Sequence, residues 1–269
     1  KVTNTSATAY ASGADLNDVA ARNAYVVLKK RLSSFASRHF KVAIESLRFD
    51  DGKIDLGDQS ISFSKLVELA YMNRVQLSAT GFYRTPKIHY DRKHAKGRPF
   101  YYFAYGAAVS EVAVDTLTGK NRVLRVHHHH HLGRSLNPAI DLGQIEGGFI
   151  QGMGWLTTEE LWWDSHGAIR THAPSTYKIP SCTDKPQKIN VNLWAHGENV
   201  EQTIHRSKAV GEPPLMLAIS VHQALSDAVS SVSAYQHAPA LDAPATPEAL
   251  LNAIQIERGR ARQPETEAT

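Results

Sequence analysis

Cysteine is almost absent from this 269-residue sequence, and its single cysteine, Cys182, cannot form an internal disulfide. A reducing compartment is therefore allowed, and we expect a cytoplasmic protein. No apolar stretch approaches the roughly 20 residues that a membrane-spanning helix needs. The N-terminus also lacks the basic and apolar segments of a secretion signal. We therefore expect neither membrane insertion nor export.

An excess of one charge is also absent. The chain has 30 Lys and Arg against 26 Asp and Glu, a formal net charge of +4, and its basic residues are spread along the sequence. This balance gives no indication of nucleic-acid binding. Hydrophobic residues make up 42% and charged residues 21%, a composition typical of a folded globular protein. Since residues 1–6 lack Met and resemble a loop inside a domain, we expect a fragment of a longer protein.

Helical and strand-like patterns follow one another without regular alternation, which favours an α+β fold with mixed sheets and packed helices. The helices are predicted at 15–36, at 64–73 with Ser64 as its cap, and at 215–234 after Pro213-Pro214. Strands are predicted at 101–105, 110–115 and 122–126, with a hairpin at Asp50-Asp51-Gly52. We assign residues 1–237 to one folded portion and residues 238–269 to a weakly ordered tail.

Glu212 lies between a glycine and two prolines in the segment 208–214, directly before an apolar helix. The prolines stiffen the backbone, and a helix N-terminus favours the ionised carboxylate, whereas apolar surroundings raise a carboxyl pKa. A carboxylate held in a dry pocket is a competent general base. The alternative is that Glu212 merely caps the helix, and the local sequence leaves both interpretations open.

Residues 143–154 contain five glycines in twelve residues. Glycine lets backbone N–H groups approach a ligand closely, which suits an anion or cofactor bound at a helix start. The spacing does not match the dinucleotide or Walker motifs. A helix that packs tightly against a sheet through its glycines is the other interpretation.

Five consecutive histidines, His127–His131, follow a strand-like run. Successive side chains of a strand point to opposite faces, so these imidazoles are expected to alternate. A histidine tract can bind Ni²⁺ or Zn²⁺, but protein zinc sites draw their ligands from several segments. We therefore interpret the tract as a tag-like insertion or a sequence anomaly rather than a native metal site.

Six segments match the sequence motifs of one enzyme family and follow one another in the same order. They are Thr80-Gly81-Phe82-Tyr83-Arg84-Thr85-Pro86, 105–112 (YGAAVSEV), 133–141 (GRSLNPAID), the glycine segment 143–154, 172–180 (HAPSTYKIP) and 208–214 (KAVGEPP). Together they resemble the C-terminal portion of the molybdopterin-binding subunit of xanthine dehydrogenases, which belong with the aldehyde oxidases to the molybdenum hydroxylases. The resemblance extends from residue 1 to about residue 235.

The resemblance implies hydroxylation of xanthine or hypoxanthine with oxygen derived from water. It implies that Glu212 is the general base that deprotonates a molybdenum-bound hydroxide. The residues that correspond to contacts with the molybdopterin are Gln144, Thr8, Ala9, Tyr10 and Gly211. The molybdenum is held through the pterin, so no side chain is expected to ligate it directly.

The chain differs from the family pattern at two places. Tyr10 stands where the family has alanine, and a phenol so near the metal would obstruct the cofactor unless the loop moves. The histidines stand where the family reads Asp-Ile-Leu-His-Asp, so that only His130 agrees. Burying imidazoles without partners costs about 1 to 3 kcal/mol each, and we expect impaired folding.

The resemblance also implies partners. In the family, the residues that grip the purine and part of the pterin site precede the sequence present here, so we expect the isolated chain to be inactive. Fe–S clusters and FAD are expected on another subunit or domain, and a single cysteine could not ligate a cluster. We expect a hetero-oligomer with an Fe–S/FAD-binding subunit, and neither nucleic acid nor a membrane as partner.

Three alternatives remain at this point. An aldehyde or other N-heterocycle oxidase uses the same site chemistry. The purine-binding residues that would distinguish such an oxidase from a xanthine dehydrogenase are not in this sequence. An inactive cofactor-binding or assembly module is favoured by Tyr10 and by the histidines. A metal-binding histidine tract predicts Ni²⁺ or Zn²⁺ uptake that is lost when the five histidines are replaced.

Overall fold

The computed structural model describes residues 13–261, and the chain divides between Tyr101 and Tyr102 into two compact units. Both units combine helices with small sheets. This architecture confirms the predicted α+β class.

The first unit is built from two helices and two small antiparallel sheets. Its elements are α1 (Gly13–Phe40), β1 (Arg48–Asp50), β2 (Lys53–Asp55), β3 (Ser60–Ser62), α2 (Phe63–Met72), β4 (His89–Asp91) and β5 (Lys96–Arg98). Strands β1, β2 and β3 pair in that order, and β4 pairs with β5. The buried core consists of Leu32, Phe35, Ala36, Ile54, Leu56, Leu66 and Ala70.

Two predictions in this unit concern the residues that begin and end its elements. The hairpin between β1 and β2 is confirmed, and it turns at Asp51 (φ 40°) and Gly52 (φ 68°), the left-handed pair that a two-residue hairpin loop requires. The cap of α2 was wrongly predicted. Ser62, not Ser64, accepts a hydrogen bond from the Lys65 amide at 3.2 Å. Ser62 ends β3 with the extended backbone that a cap needs, so the helix begins one residue earlier than expected.

The second unit is a three-stranded sheet with four helices. Its elements are β6 (Tyr105–Val114), β7 (Asn121–His131), α3 (Pro138–Thr157), β8 (Lys188–Leu193), α4 (Pro213–Met216), α5 (Ile219–Ser230) and α6 (Pro247–Ala261). Strand β7 is central, antiparallel to β6 and parallel to β8. Because β7 pairs on both sides, it continues through His131, beyond the predicted end at residue 126. Residues 101–104, predicted as strand, precede β6.

The core of this unit lies between one face of the sheet and the helices α3, α5 and α6. Its buried members are Val123, Val126, Phe149, Met153, Leu156, Ala218, Val221, Leu225, Val229, Ala245, Leu250, Ala253 and Ile254. The hydroxyls of Ser110 on β6 and Ser220 on α5 lie 2.8 Å apart and join the sheet to the helix layer.

The chain after residue 238 differs from the expected weakly packed tail. Pro247–Ala261 forms α6, which buries Leu250, Ala253 and Ile254 in the core just described. The prediction of weak packing is therefore wrong for this helix. Its apolar side chains are separated by three and four residues, a helical spacing that the surrounding Pro, Glu and Arg obscured. The division of the chain at residue 237 stays a prediction.

The stretch Pro213–Ser233 is long and apolar enough, by length and composition, to cross a membrane. This finding differs from the expectation that no apolar stretch reaches that length. The stretch is not one continuous helix, since α4 ends at Met216 and α5 begins at Ile219. Val221, Leu225 and Val229 of α5 are buried in the core, which is the pattern of a core helix.

Candidate functional site

The segment that precedes Glu212 is fixed to the end of the central strand. Gly133 and Ser207 form an isolated β-bridge, and the Lys208 amide donates to the Leu132 carbonyl at 2.7 Å. The Tyr102 hydroxyl oxygen accepts a hydrogen bond from the Ala209 amide at 2.9 Å. These contacts hold residues 207–209 in place, immediately before Gly211 and Glu212.

Helix α3 supports the same segment from another direction. A Cβ added to Gly148 would lie 3.3 Å from the Gly211 carbonyl oxygen. A Cβ added to Gly152 would lie 2.8 Å from Cβ of Ala218 and would also collide with the Leu215 carbonyl. The glycines therefore allow α3 to pack directly against the backbone around Glu212. Tight packing through glycines was one of the two interpretations of this segment, and the packing partner is α4 with its flanking residues rather than a sheet.

Gln144 lies one helical turn before Gly148, so it belongs to the row of α3 that faces the Glu212 segment. Its side chain is half-buried, and its carboxamide has no hydrogen-bond partner within residues 13–261. A Cβ added to the neighbouring Gly143 or Gly147 would meet nothing within 4 Å. The N-terminal half of α3 thus offers one free amide beside an open glycine surface.

Glu212 stands at the N-cap position of α4, but its side chain makes no capping hydrogen bond. The side chain is exposed within the part of the chain that the structure describes. The Glu212 side chain therefore does not cap α4. The described residues do not surround the carboxylate with a dry pocket either, so any enclosure of Glu212 has to come from sequence outside residues 13–261.

A buried lysine lies four residues before Glu212. Lys208 is only 8% exposed, and its Nζ is 2.7 Å from Nδ1 of His131 and 4.6 Å from the centre of the Tyr105 ring. Burial lowers the pKa of the Lys208 ammonium. Burial and the adjacent Lys208 lower the pKa of His131. A neutral imidazole that accepts from the ammonium fits both shifts.

The histidine tract alternates as predicted. Along β7, His128 and His130 are buried, whereas His127 and His129 are exposed. Nε2 of His128 lies 3.3 Å from Nδ1 of His130, while Nδ1 of His128 and Nε2 of His130 have no hydrogen-bond partner within residues 13–261. Burial is the largest cause that lowers the pKa of each imidazole from 6.5 to about 4. Both rings are therefore neutral at physiological pH.

Three of the residues predicted to contact a cofactor, Thr8, Ala9 and Tyr10, lie outside the described residues. Of the others, Gly211 lies against α3 at Gly148, Glu212 follows it in the chain, and Gln144 lies one helical turn before Gly148. Sequence reasoning missed the hydrogen bond from Ala209 to Tyr102 and the pairing of Lys208 with His131. The spacing of four between Gly148 and Gly152 was the available signal for the close packing of α3.

A solved structure defines the class of this fold. Quinoline 2-oxidoreductase from Pseudomonas putida 86 superposes with a TM-score of 0.72 over 92% of this chain and 30% of that chain, at 23% sequence identity. At this identity the likeness shows the fold alone, which is that of a molybdenum hydroxylase region as predicted.

The sequence comparison gives the family. The molybdopterin cofactor-binding domain matches residues 1–186, and the chain belongs to this family. The predicted resemblance and the predicted class of cofactor are thereby confirmed.

Two curated relatives are much longer than this chain. The xanthine dehydrogenase/oxidase of Mus musculus is 42% identical over 259 residues, which cover 94% of this chain and 18% of the relative. Aldehyde oxidase 2 of Macaca fascicularis is 40% identical over 250 residues, which cover 92% of this chain and 17% of the relative. The chain thus spans less than a fifth of the length of either protein.

The described residues fit one side of a molybdopterin site. The edge of a pterin ring carries nitrogen and oxygen atoms that need hydrogen-bond partners, and the free carboxamide of Gln144 can both donate and accept. The open surface at Gly143 and Gly147 leaves room for a planar ring beside this amide. Among residues 13–261, no group of three or more His, Cys, Asp or Glu is arranged to hold a metal ion.

Proposed function

We propose that this chain is the C-terminal portion of the molybdopterin-binding part of a molybdenum hydroxylase that acts on purines such as xanthine and hypoxanthine. The observation that carries the proposal is the 42% identity with a xanthine dehydrogenase/oxidase over 94% of the chain. The packing of the α3 glycines supports it, because Gly148 and Gly152 bring α3 against the backbone of Gly211 and Leu215, on either side of the proposed base.

The proposed reaction replaces a C–H bond of the substrate by a C–OH bond, with the oxygen taken from water. Each turnover releases two electrons and two protons from the substrate and the water molecule together. Bound molybdopterin supplies a metal that lowers the pKa of a water molecule and accepts the two electrons. The electrons leave through Fe–S and FAD groups that we place on a partner subunit or domain, which makes a hetero-oligomer part of the proposal. A cytoplasmic location belongs to the same proposal.

Glu212 is the residue that removes a proton from the water-derived nucleophile. Its carboxylate oxygen is free of capping hydrogen bonds and can therefore accept that proton. The amides of Lys208 and Ala209, shortly before it, are hydrogen-bonded to Leu132 and Tyr102, which restricts the main chain that carries the carboxylate. Gly211 adds no side chain next to Glu212, and the Gln144 carboxamide orients the cofactor.

The test uses this chain joined to its upstream sequence and produced in a host that makes molybdopterin. Glu212→Gln keeps the shape of the side chain but removes the base, so we expect xanthine turnover to fall by about 10² to 10⁴. Molybdenum per chain, measured by elemental analysis, should stay unchanged. The matched control is Glu146→Gln, the same change at an exposed position of α3. Equal turnover of the Glu212→Gln and Glu146→Gln proteins would overturn the assignment of the base.

A second candidate function is oxidation of aldehydes. It is favoured by the 40% identity with an aldehyde oxidase, which is close to the identity with the xanthine enzyme. Turnover of xanthine and of an aromatic aldehyde by the same preparation separates the two candidates. A protein that contains molybdenum but oxidises neither substrate would instead favour an inactive cofactor-binding module.

A further inference from the structure

The outer face of the three-stranded sheet carries a pair of exposed imidazoles. His127 and His129 are alternate residues of β7, and both point away from the core. Neither ring has a hydrogen-bond partner within residues 13–261. The ring of His129 contacts Trp194, with the two ring centres 5.3 Å apart. Both imidazoles therefore have ring nitrogens available to an external ligand.

The neighbouring strands leave the space around this pair open. On β6, the residues in register with His127 and His129 are Val109 and Ala107, which have short apolar side chains. On β8 the residues in register are Asn190 and Asn192. A cavity of about 450 Å³ begins beside His129, and its walls are Tyr105, Gly106, Ala107, His129, His131 and Trp194. Nothing in the described sheet therefore covers the two rings.

The other three histidines of the tract are unavailable to a ligand on this face. His128 and His130 are 1% exposed and lie on the opposite face, in the core. His131 lies on the outer face, but its Nδ1 is 2.7 Å from the Lys208 ammonium and its ring contacts Gly197. The positive charge of Lys208 also repels a cation at this end of the strand. At the other end, the positive charge of Arg125 is paired with Glu111 at 3.5 Å.

We propose that His127 and His129 together bind one divalent transition-metal ion, with water completing its coordination. Same-face residues of a strand are roughly 6.6 Å apart at Cα. Rotation of both side chains can bring one nitrogen of each ring to the bond length of about 2.1 Å that metal–imidazole contacts require. The site has two protein ligands, His127 and His129. It is an open site from which the ion exchanges, unlike a structural zinc site.

Imidazole nitrogen favours copper, nickel and zinc over magnesium and calcium, and Cu²⁺ is expected to bind most tightly. This site is separate from the proposed molybdopterin site, and it does not depend on the function proposed above. It also differs from a loose histidine tag, in which all five imidazoles would be equivalent. The fold makes only two of the five available.

The test is titration of the full 269-residue chain with NiCl₂ at about pH 7.5, followed by calorimetry. Ni²⁺ is the probe because the exposed thiol of Cys182 does not reduce it. We expect one ion per chain at this site. Loss of one of two linked ligands should weaken binding about 100-fold in His127→Asn or His129→Asn, and the double variant, which keeps neither ligand, should lose binding at this site altogether.

Matched controls come from the same strand. His131→Asn and His128→Ile should leave the affinity for Ni²⁺ unchanged, and circular dichroism checks that each variant is folded. Equal weakening by His131→Asn and His129→Asn would overturn the proposal, because it would mean that the tract binds metal without regard to strand geometry. Unchanged affinity in the double variant would overturn it as well.

Discussion

At the scale of single residues, the buried pair His128 and His130 makes stability depend on pH. In the folded chain both imidazoles have a pKa of about 4, whereas 6.5 is the ordinary value. At pH values between these two, the unfolded chain binds more protons than the folded chain. Stability is therefore complete above about pH 6.5 and falls as the pH falls through this window.

Charged groups near the pair act in the same direction. The neighbours His129 and His131 and the ammonium of Lys208 disfavour a second positive charge. The carboxyl groups whose pKa is lowered, such as Asp115 and Asp164, titrate below 3.8 and so outside the window. The pKa of His131 is lowered as well, so the loss of stability between pH 6.5 and 4 is assigned first to the two buried imidazoles and in addition to His131.

We predict that replacing one imidazole reduces this acid sensitivity. A fall in pKa from 6.5 to about 4 corresponds to roughly 3 kcal/mol per imidazole. His128→Ile should remove about half of the loss in unfolding free energy between about pH 7 and pH 4.5, measured by urea denaturation. At neutral pH its effect on stability should be small, since it removes one buried nitrogen that has no partner within residues 13–261 but takes from Nδ1 of His130 its contact with Nε2 of His128.

The control for this prediction is His127→Ile, which makes the same change on the exposed face of the same strand. Its pH dependence should equal that of the parent chain. An acid sensitivity that His128→Ile leaves unaltered would contradict the assignment to the buried pair.

At the scale of elements, the contact between α3 and the Glu212 segment depends on the lack of side chains at Gly148 and Gly152. A Cβ at Gly152 has no space, because the Leu215 carbonyl and Ala218 already occupy it. A Cβ at Gly147 on the same helix meets nothing within 4 Å. The helix thus offers two glycines with the same backbone conformation and opposite surroundings.

We predict opposite effects of alanine at these two glycines. Gly152→Ala should lower the unfolding free energy by about 1 to 3 kcal/mol, because α4 or α5 must move to make room. Gly147→Ala should raise it by about 0.5 to 1 kcal/mol, since alanine favours the helix and nothing obstructs its methyl group. Urea denaturation of both variants measures the difference. Stabilisation by Gly152→Ala would contradict the close packing of α3.

Sequence patterns predicted elements well where the local signal was strong. The helix α1 and the hairpin at Asp51-Gly52 follow from local spacing and turn chemistry. The extent of β7 could not be predicted, since histidine has no strong strand preference and only pairing with β6 and β8 keeps residues 127–131 extended. The packing of α6 was missed because its few apolar residues gain their burial from a distant part of the chain.

At the scale of the whole molecule, each of the two units has its own buried core. Leu66 of α2 belongs to the core of the first unit, and Leu225 of α5 belongs to that of the second. Both side chains are fully buried. Removing most of either side chain should therefore destabilise one unit in particular.

We predict that Leu66→Ala and Leu225→Ala lower the stability of different units by about 2 to 5 kcal/mol each. Differential scanning calorimetry of the chain measures which unfolding transition moves in each variant. Leu117→Ala, at a position 80% exposed in the turn between β6 and β7, is the control and should move neither. If both core variants moved the same transition by the same amount, the two cores would have to be one cooperative unit.

The sequence by itself determined the family and the α+β class, because these depend on the residues of the motifs and on their order along the chain. It also determined the stiff backbone that carries Glu212, because that stiffness comes from the neighbouring residues Pro213 and Pro214. The alternation of the five imidazoles follows from strand geometry, but only the pairing of β7 with β6 and β8 made residues 127–131 a strand. Only the tertiary structure decided that His128 and His130 are the buried ones and that Lys208 pairs with His131. It likewise decided that α3 packs against the backbone beside Glu212, since Gly148 and Gly211 are 63 positions apart in the sequence and meet only through packing.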